Sequence, residues 1–261
     1  MTAGLWDRET FVEKLREIGA CAYHDKHPFH VAMNEGRLSP EALRGWVANR
    51  FYYQRSIPVK DAAILSNCPL SEVRRVWIHR IVDHDGTAKN EGGIEAWLRL
   101  GEACGLSRDE LMQDRHVRPG VRFAVDAYVN FARNRSWPVA IASSLTELFA
   151  PDLMAARLGA FEKSYPWIDP HGLDYFRRRV TQARLDSSEA LEITIEHCKT
   201  RELQDAAVHA LRFKCDVLWC MLDAIHHAYA DTNEGGVAFQ APKSSELGSR
   251  RSLLSAHDYD S

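Results

Sequence analysis

The sequence lacks any apolar run that approaches the roughly 18 residues needed to cross a membrane. Its first residues, MTAGLWDRET, also lack the charged and apolar regions of a secretory signal. Basic residues are not in excess, because 33 Lys and Arg stand against 36 Asp and Glu, whereas a nucleic-acid-binding protein normally carries a basic face. We therefore expect a cytoplasmic protein whose partners include neither a membrane nor nucleic acid.

Motifs for several common chemistries are also absent. The six cysteines show no C-x-x-C spacing, and most fall at apolar helical positions, which is typical of buried, reduced thiols. The glycine motifs of dinucleotide- and phosphate-binding loops are missing, and so is the Gly-x-Ser-x-Gly motif of hydrolases. Nucleotide-dependent and α/β-hydrolase chemistry therefore have no support in the sequence.

What the sequence does contain is helical periodicity over most of its length. Alternating stretches of Val, Ile and Thr that predict strands are missing, and Pro and Gly separate the periodic segments. We therefore predict an all-α bundle in which residues 1–230 form a single domain. Residues 231–261 are rich in Gly, Ser and charge, which predicts a disordered tail.

Helix boundaries follow from capping and breaking residues. Ser39 and Pro40 predict the start of a long helix, and Pro58 inside that helix predicts a kink. Pro138 predicts the start of a helix that runs to about residue 150. Separate helices are predicted over residues 170–185, 188–199 and 201–230.

The most informative feature is a set of positive charges on helix faces that should be apolar. At alternating steps of three and four residues, the inner stripe of the long helix contains Arg50 and Lys60 among Leu, Trp, Tyr and Ile. Arg80 and His84 share a face one turn apart, and Lys214 lies inside the apolar stripe of the last helix. An unpaired buried cation is costly. Cations that point inward from three helices therefore predict a closed pocket for a ligand with several negative charges.

Each of these residues also has a plainer interpretation. Arg50 can pair with a carboxylate of a neighbouring helix, and a histidine such as His84 is often a hydrogen-bonded core residue. Lys214 either forms a salt bridge with Asp216 or Asp223 or faces the ligand, and the sequence leaves both possibilities open.

Three histidines at a spacing of three residues, His24, His27 and His30, raise the alternative of a metal site. Pro28 interrupts the helix that would align them, and neither a His-Glu-x-x-His nor a Glu-x-x-His motif occurs in this cluster. The sequence therefore favours a protein without a bound metal.

Several stretches of the folded part carry a family resemblance. They are residues 23–30 (YHDKHPFH), 45–60 (GWVANRFYYQRSIPVK), 81–86 (IVDHDG), 92–97 (GGIEAW), 119–131 (PGVRFAVDAYVNF), 142–151 (ASSLTELFAP) and 211–224 (LRFKCDVLWCMLDA). In these stretches the chain resembles the pyrroloquinoline-quinone synthase (PqqC) family. The resemblance implies a haem-oxygenase-like, TenA-like helical bundle that encloses a buried polar pocket and forms a homodimer.

The resemblance also implies an activity for the domain formed by residues 1–230. Members of this family are oxidases without a metal or an organic cofactor, and they catalyse the last step of pyrroloquinoline quinone biosynthesis. The substrate is a small quinonoid tricarboxylate, AHQQ, which undergoes ring closure and an eight-electron oxidation. Molecular oxygen is the co-substrate, hydrogen peroxide is formed, and a further protein that accepts the product is a potential partner.

Residue roles follow from the resemblance position by position. The implied catalytic residues are His84, which shuttles protons, Tyr175 and Arg179, which lie near the oxygen site, and Lys214. The implied substrate-binding residues are Tyr23, His24, Arg50, Gln54, Lys60, Arg80, Tyr128, Thr146, Glu147 and Arg157.

One position departs from the family pattern. Met154 stands where some relatives have a second pocket histidine, so a mechanism with two pocket histidines does not carry over directly. Two other functions remain open from the sequence. One is a haem-oxygenase-like di-iron oxidase, which the inward cations disfavour, and the other is a carrier that binds the quinone without converting it.

Overall fold

Helices make up every regular element in residues 4–229, which are the residues that this computed structural model describes, apart from the side chains of 181–186. The α-helices are α1 (Arg8–Ala22), α2 (Pro28–Asn34), α3 (Pro40–Asn67), α4 (Ser71–Asp85), α5 (Gly93–Ala103), α6 (Arg108–Met112), α7 (Pro119–Asn134), α8 (Trp137–Ala142), α9 (Ala150–Ser164), α10 (Asp174–His197) and α11 (Arg201–Tyr229). Short 3-10 helices span His24–Lys26, Ser143–Phe149 and Pro170–Leu173. The predicted tail, 231–261, lies outside the described residues and stays a prediction.

Capping residues start the helices where the sequence predicts. The Ser39 side chain accepts a hydrogen bond from the backbone of Ala42, and Pro40 fills the first turn of α3. Helix α3 then runs through Pro58 to Asn67 as one α-helix. It packs against α4, α5, α7 and α11 and is therefore central to the bundle.

The predicted helix over 138–150 is wrong, because α8 ends at Ala142 and the chain tightens into the 3-10 helix Ser143–Phe149. Two local features explain the change. The Ser143 hydroxyl donates to the Ala140 carbonyl oxygen at 2.6 Å. Pro151 has no backbone N–H to donate to the Glu147 carbonyl oxygen, which instead accepts from Ala150.

The predicted break between residues 185 and 188 is also wrong, since α10 continues from Asp174 to His197. Ser187 and Ala190 are buried in this helix. Burial of this face against the bundle outweighs the weak helix preference of the serine pair.

An aromatic cluster fills the core beside the cationic residues. The ring centroids of Trp46 and Trp97 are 5.3 Å apart, and those of Phe161 and Phe176 are also 5.3 Å apart. Trp46 stacks on Phe176 with centroids 6.5 Å apart. The four rings come from α3, α5, α9 and α10, and their contacts join these helices. These large, buried rings form an apolar wall beside the cations, with the Arg157 guanidinium 4.9 Å from the centroid of Trp46.

One stretch of the described chain, Trp137–Ser164, is apolar and long enough to pass as a membrane span by composition alone. Most of it is buried within the protein, as in the core helix of a soluble protein. It is weak evidence for a membrane and agrees with the expectation of a soluble chain.

Candidate active site

The predicted site residues come together in the middle of the bundle from six helices and two shorter segments. Arg50, Gln54 and Lys60 lie on α3, Arg80 and His84 on α4, Tyr128 on α7, Arg157 on α9, Tyr175 and Arg179 on α10, and Lys214 on α11, while Tyr23 and His24 follow α1 and Thr146 and Glu147 lie in the 3-10 helix Ser143–Phe149. Most of these side chains are buried; Arg50, Glu147 and Arg179 are partly buried. Residues far apart in sequence therefore form one polar cluster.

Half of the cations at this site are paired with protein carboxylates. The Lys60 ammonium lies 2.5 Å from the Asp61 carboxylate and donates to the Ser144 hydroxyl at 3.0 Å. The Arg80 guanidinium lies 2.5 Å from Glu147, and Arg179 lies 3.7 Å from the same carboxylate. Lys60 and Arg80 therefore point inward as predicted, and each also has a carboxylate partner within the protein.

Asp61 is a site residue that the sequence analysis missed. Its side chain is fully buried, accepts a hydrogen bond from the Trp77 indole at 2.9 Å and lies 3.6 Å from the Arg80 guanidinium. Its signal in the sequence was an aspartate beside Lys60 on a predicted buried helix. Ser144 and Tyr53 are two further site residues that the sequence analysis does not identify. Helical periodicity in the sequence places Tyr53 only in the apolar stripe of the long helix.

The other cations have no carboxylate contact in the described part of the chain. Lys214 donates to the Tyr53 hydroxyl at 2.6 Å, and its ammonium lies 3.5 Å from the centroid of the Tyr128 ring. Burial, with the charges of Arg50 and Lys60 acting in the same direction, lowers the pKa of Lys214 well below its ordinary value.

Of the two alternatives left open for Lys214, the structure does not form the salt bridge with Asp216 or Asp223. Asp216 pairs with Arg212 at 2.9 Å, and Asp223 pairs with His27 at 3.0 Å. Lys214 instead contacts Tyr53 and Tyr128 and has no carboxylate partner in the described residues. Its charge is therefore available to a ligand.

Arg50 and Arg157 carry buried hydrogen-bond donors without acceptors among the described residues. These atoms are Nη1 of Arg50 and both Nε and Nη2 of Arg157, and the Gln54 Nε2 atom is in the same state. Burial, together with the charge of Arg50, lowers the pKa of Arg157 to about 10, so Arg157 is still charged at neutral pH. Each buried donor without a partner costs about 1–3 kcal/mol. The arrangement is explained by a ligand that supplies anionic oxygens.

The glutamate of the site is a permanent anion. Although burial raises the pKa of Glu147, the charges of Arg80 and Arg179 outweigh that effect and lower it to about 2. Burial raises the pKa of Tyr23, Tyr53 and Tyr128, so these phenols are neutral donors at physiological pH.

His84 is a neutral base held in one tautomer. Its Nδ1–H donates to the Arg80 carbonyl oxygen at 2.8 Å, which leaves the lone pair on Nε2. Burial, with the charge of Arg179 acting in the same direction, lowers the pKa of His84 to about 4. His84 lines a cavity of about 360 Å³ together with Gly86, Tyr175 and Arg179. A proton acceptor therefore stands at the edge of a cavity that Tyr175 and Arg179 also line.

Tyr175 connects this cavity to α3. Its hydroxyl donates to Gln54 Oε1 at 3.0 Å, and its ring meets Trp97 edge-on with centroids 4.7 Å apart. Thr146 is buried on the 3-10 helix next to Glu147, and Met154 is buried one turn before Arg157 on α9. The thioether of Met154 cannot exchange a proton, whereas the cavity wall offers the His84 imidazole and the carboxylates of Asp83 and Glu91.

The three histidines of residues 24–30 do not converge on one point. The Nδ1 atoms of His24 and His30 are 2.9 Å apart, whereas His27 turns away to Asp223. In residues 4–229, no three His, Cys, Asp or Glu side chains are grouped so that they could hold a metal ion. The structure therefore offers no ligand set for the alternative metal site of the sequence analysis.

Comparison with known proteins gives a consistent result. The model of the TENA/THI-4/PQQC family matches residues 12–224. Pyrroloquinoline-quinone synthase of Pseudomonas aeruginosa (strain LESB58) is 58% identical over 229 residues, which cover 88% of this chain and 91% of that protein. The enzyme of the same name from Ectopseudomonas mendocina is 59% identical over 219 residues, covering 84% of this chain and 87% of that protein.

Solved structures show the fold. A TenA homologue from Pseudomonas syringae has a TM-score of 0.67 at 15% identity and covers 86% of this chain and 98% of its own. A domain of unknown function with a haem-oxygenase-like fold from Shewanella denitrificans has a TM-score of 0.71 at 13% identity and covers 90% of this chain and 96% of its own. The predicted haem-oxygenase-like, TenA-like bundle is confirmed.

Proposed function

Because the chain belongs to the TENA/THI-4/PQQC family, we propose that it is an enzyme of pyrroloquinoline quinone biosynthesis, a pyrroloquinoline-quinone synthase like its relatives. The observation that carries the proposal is the set of buried guanidinium donors on Arg50 and Arg157 that have no acceptor among the described residues. A small quinonoid tricarboxylate supplies the acceptors that these donors need. The enzyme closes a ring in this substrate, AHQQ, and oxidises it by eight electrons with molecular oxygen, forming hydrogen peroxide.

The substrate binds as a polyanion. Arg50, Arg157 and Lys214 bind its carboxylates, because these three cations have no carboxylate contact in residues 4–229. The guanidinium groups of the two arginines can each bind a carboxylate bidentately. Tyr23, His24 and Gln54 supply neutral donors around them. Binding therefore removes the cost of the unpaired donors at the same time as it buries the ligand.

His84 removes protons from the carbon skeleton. Its Nε2 lone pair is the acceptor, and the Arg80 carbonyl oxygen holds the ring in the required tautomer. Bound carboxylates raise the pKa of His84 from about 4, because they offset the nearby positive charges. The base is therefore stronger when substrate is present than when the site is empty.

Oxygen is reduced next to Tyr175 and Arg179. Both side chains line the cavity that contains His84, and the positive charge of Arg179 stabilises a reduced, anionic oxygen species. The cations at the site and the absence of a grouped set of His, Cys, Asp or Glu side chains in residues 4–229 support a reaction without a bound metal, and the family resemblance implies that no organic cofactor is needed. The enzyme acts as a soluble, cytoplasmic homodimer and passes its product to an accepting protein, as the family resemblance implies.

The decisive experiment follows oxygen consumption by metal-stripped protein mixed with AHQQ, with product absorbance recorded in parallel. We expect conversion without added iron. Binding without conversion, if iron restores turnover, means a di-iron oxidase. Binding without conversion that iron does not restore means a quinone carrier.

A further inference from the structure

A pair of buried histidines stands at the edge of the ligand site. His24 and His30 are 5% and 2% exposed, and their ring centroids lie 4.8 Å apart. His24 follows α1, and His30 lies in the middle of α2. The centroid of the His24 ring lies 4.4 Å from that of Tyr23, another residue of the predicted site, whereas the His30 ring meets the core residue Trp46 edge-on with centroids 6.2 Å apart.

The contacts of this pair fix the position of every ring proton. The His30 Nδ1 atom lies 3.0 Å from the His24 carbonyl oxygen and 2.9 Å from the His24 Nδ1 atom. A carbonyl oxygen only accepts hydrogen bonds, so His30 Nδ1 carries a proton. A protonated His30 Nδ1 cannot accept from His24, so His24 Nδ1 is the unprotonated nitrogen. In a neutral ring the proton of His24 is then on Nε2.

Both rings are neutral at physiological pH. Burial lowers the pKa of His24 and of His30 well below the ordinary value, and the charge of Arg157 acts in the same direction on both. An imidazolium here would also add a further positive charge beside Arg50 and Arg157, which already repel each other. A neutral donor is therefore the form of histidine that this location stabilises.

We propose that His30 is a positioning residue that holds His24 in the Nε2–H tautomer, so that His24 donates a hydrogen bond to an anionic oxygen of the substrate. This role rests on the function proposed above and deepens it. His24 and His84 then have opposite tautomers, because His84 keeps its lone pair on Nε2 and His24 keeps its proton there. His24 binds the ligand, and His84 accepts protons from it.

Two substitutions separate this role from simple core packing. His30→Leu fills the same space without a donor, whereas His30→Asn keeps an N–H close to the position of Nδ1. With pyrroloquinoline quinone as the probe, we expect His30→Leu to weaken binding about tenfold, the effect of one hydrogen bond to a charged group. It raises KM by a similar factor and leaves kcat unchanged, because a binding contact is removed. His30→Asn retains binding.

Histidine ¹⁵N NMR of the unliganded wild-type protein at neutral pH tests the tautomer itself. A proton on Nε2 of His24 supports the proposal, and a proton on Nδ1 or on both nitrogens overturns it. Folded His30→Leu protein that binds pyrroloquinoline quinone as tightly as the wild type also overturns it. If the wild type fails to bind this probe, the proposed function and the donor role fail together, and the NMR spectrum still decides the tautomer.

Discussion

Arg157 and Arg80 allow a direct test of whether the empty site is strained by its own charges. Both guanidinium groups are buried, and both lie near a tryptophan ring, at 4.9 Å from Trp46 for Arg157 and 4.4 Å from Trp77 for Arg80. Arg80 has a carboxylate partner in Glu147, whereas two donor atoms of Arg157 have no partner in the described chain. Replacement of each arginine by methionine keeps most of the side-chain volume and removes the charge.

The expected stability changes have opposite signs. Replacing a buried ion pair by well-packed apolar side chains is neutral or stabilises a protein by about 1–4 kcal/mol, and an uncompensated buried charge should gain at least as much. Loss of a desolvated cation–π contact offsets about 2 kcal/mol of this gain. Arg157→Met should therefore raise the unfolding free energy of the unliganded protein by up to about 2 kcal/mol. Arg80→Met leaves Glu147 without its closest partner and should cost about 3–5 kcal/mol.

Thermal unfolding with and without pyrroloquinoline quinone measures both effects. Each kcal/mol corresponds to about 2–4 °C in Tm for a domain of this size. Arg157→Met should melt above the wild type when empty, yet its stabilisation by the ligand should fall by about 2–5 kcal/mol because a charged contact is lost. If Arg157→Met instead destabilises the empty protein as much as Arg80→Met does, the donors of Arg157 are satisfied in solution and the reasoning is refuted.

Other predictions concern His84 and the glycine that supports it. His84→Asn should bind the ligand normally and lose about 10²–10⁴-fold in turnover, measured as oxygen uptake; wild-type turnover would contradict its role as the base. The pKa of His84 is lowered to about 4 in the fold against about 6.5 when unfolded, so the unfolded chain binds more protons between these values. Wild-type stability should therefore fall by about 3 kcal/mol more than that of His84→Asn as the pH drops from 6.5 to 4, and parallel melting curves would disprove the shift. A Cβ on Gly92 would lie 2.3 Å from the His84 carbonyl oxygen, so Gly92→Ala should lower turnover through displaced backbone; unchanged kcat would show that the loop adapts.

Local signals in the sequence were sufficient for most of the fold. Ser39 and Pro40 start α3 where predicted, because capping depends only on near neighbours. The 3-10 helix Ser143–Phe149 was not predicted, since side-chain hydrogen bonding and the missing donor of Pro151 decide it together. An element whose conformation depends on several weak local effects is harder to predict from the sequence than an element with one strong capping signal.

The site was predictable in its residue types and only partly in its pairing. Helical periodicity showed that Arg50, Lys60 and Lys214 face inward, and the structure agrees. It did not show which cation meets a carboxylate, because Glu147 reaches Arg80 from a segment 67 positions away in sequence. Pairing is a tertiary property, so the separation of paired from unpaired cations needed the structure.

Helix α3 also acts as a spacer within the site. Arg50 and Lys60 are ten residues apart on one unbroken helix, and a rise of 1.5 Å per residue separates their backbones by about 15 Å along its axis. An insertion or deletion of a single residue between them would turn one cation by about 100° away from the cluster. The backbone of α3 therefore sets the distance between Arg50, which has a buried donor available for a ligand, and the Lys60–Asp61 ion pair.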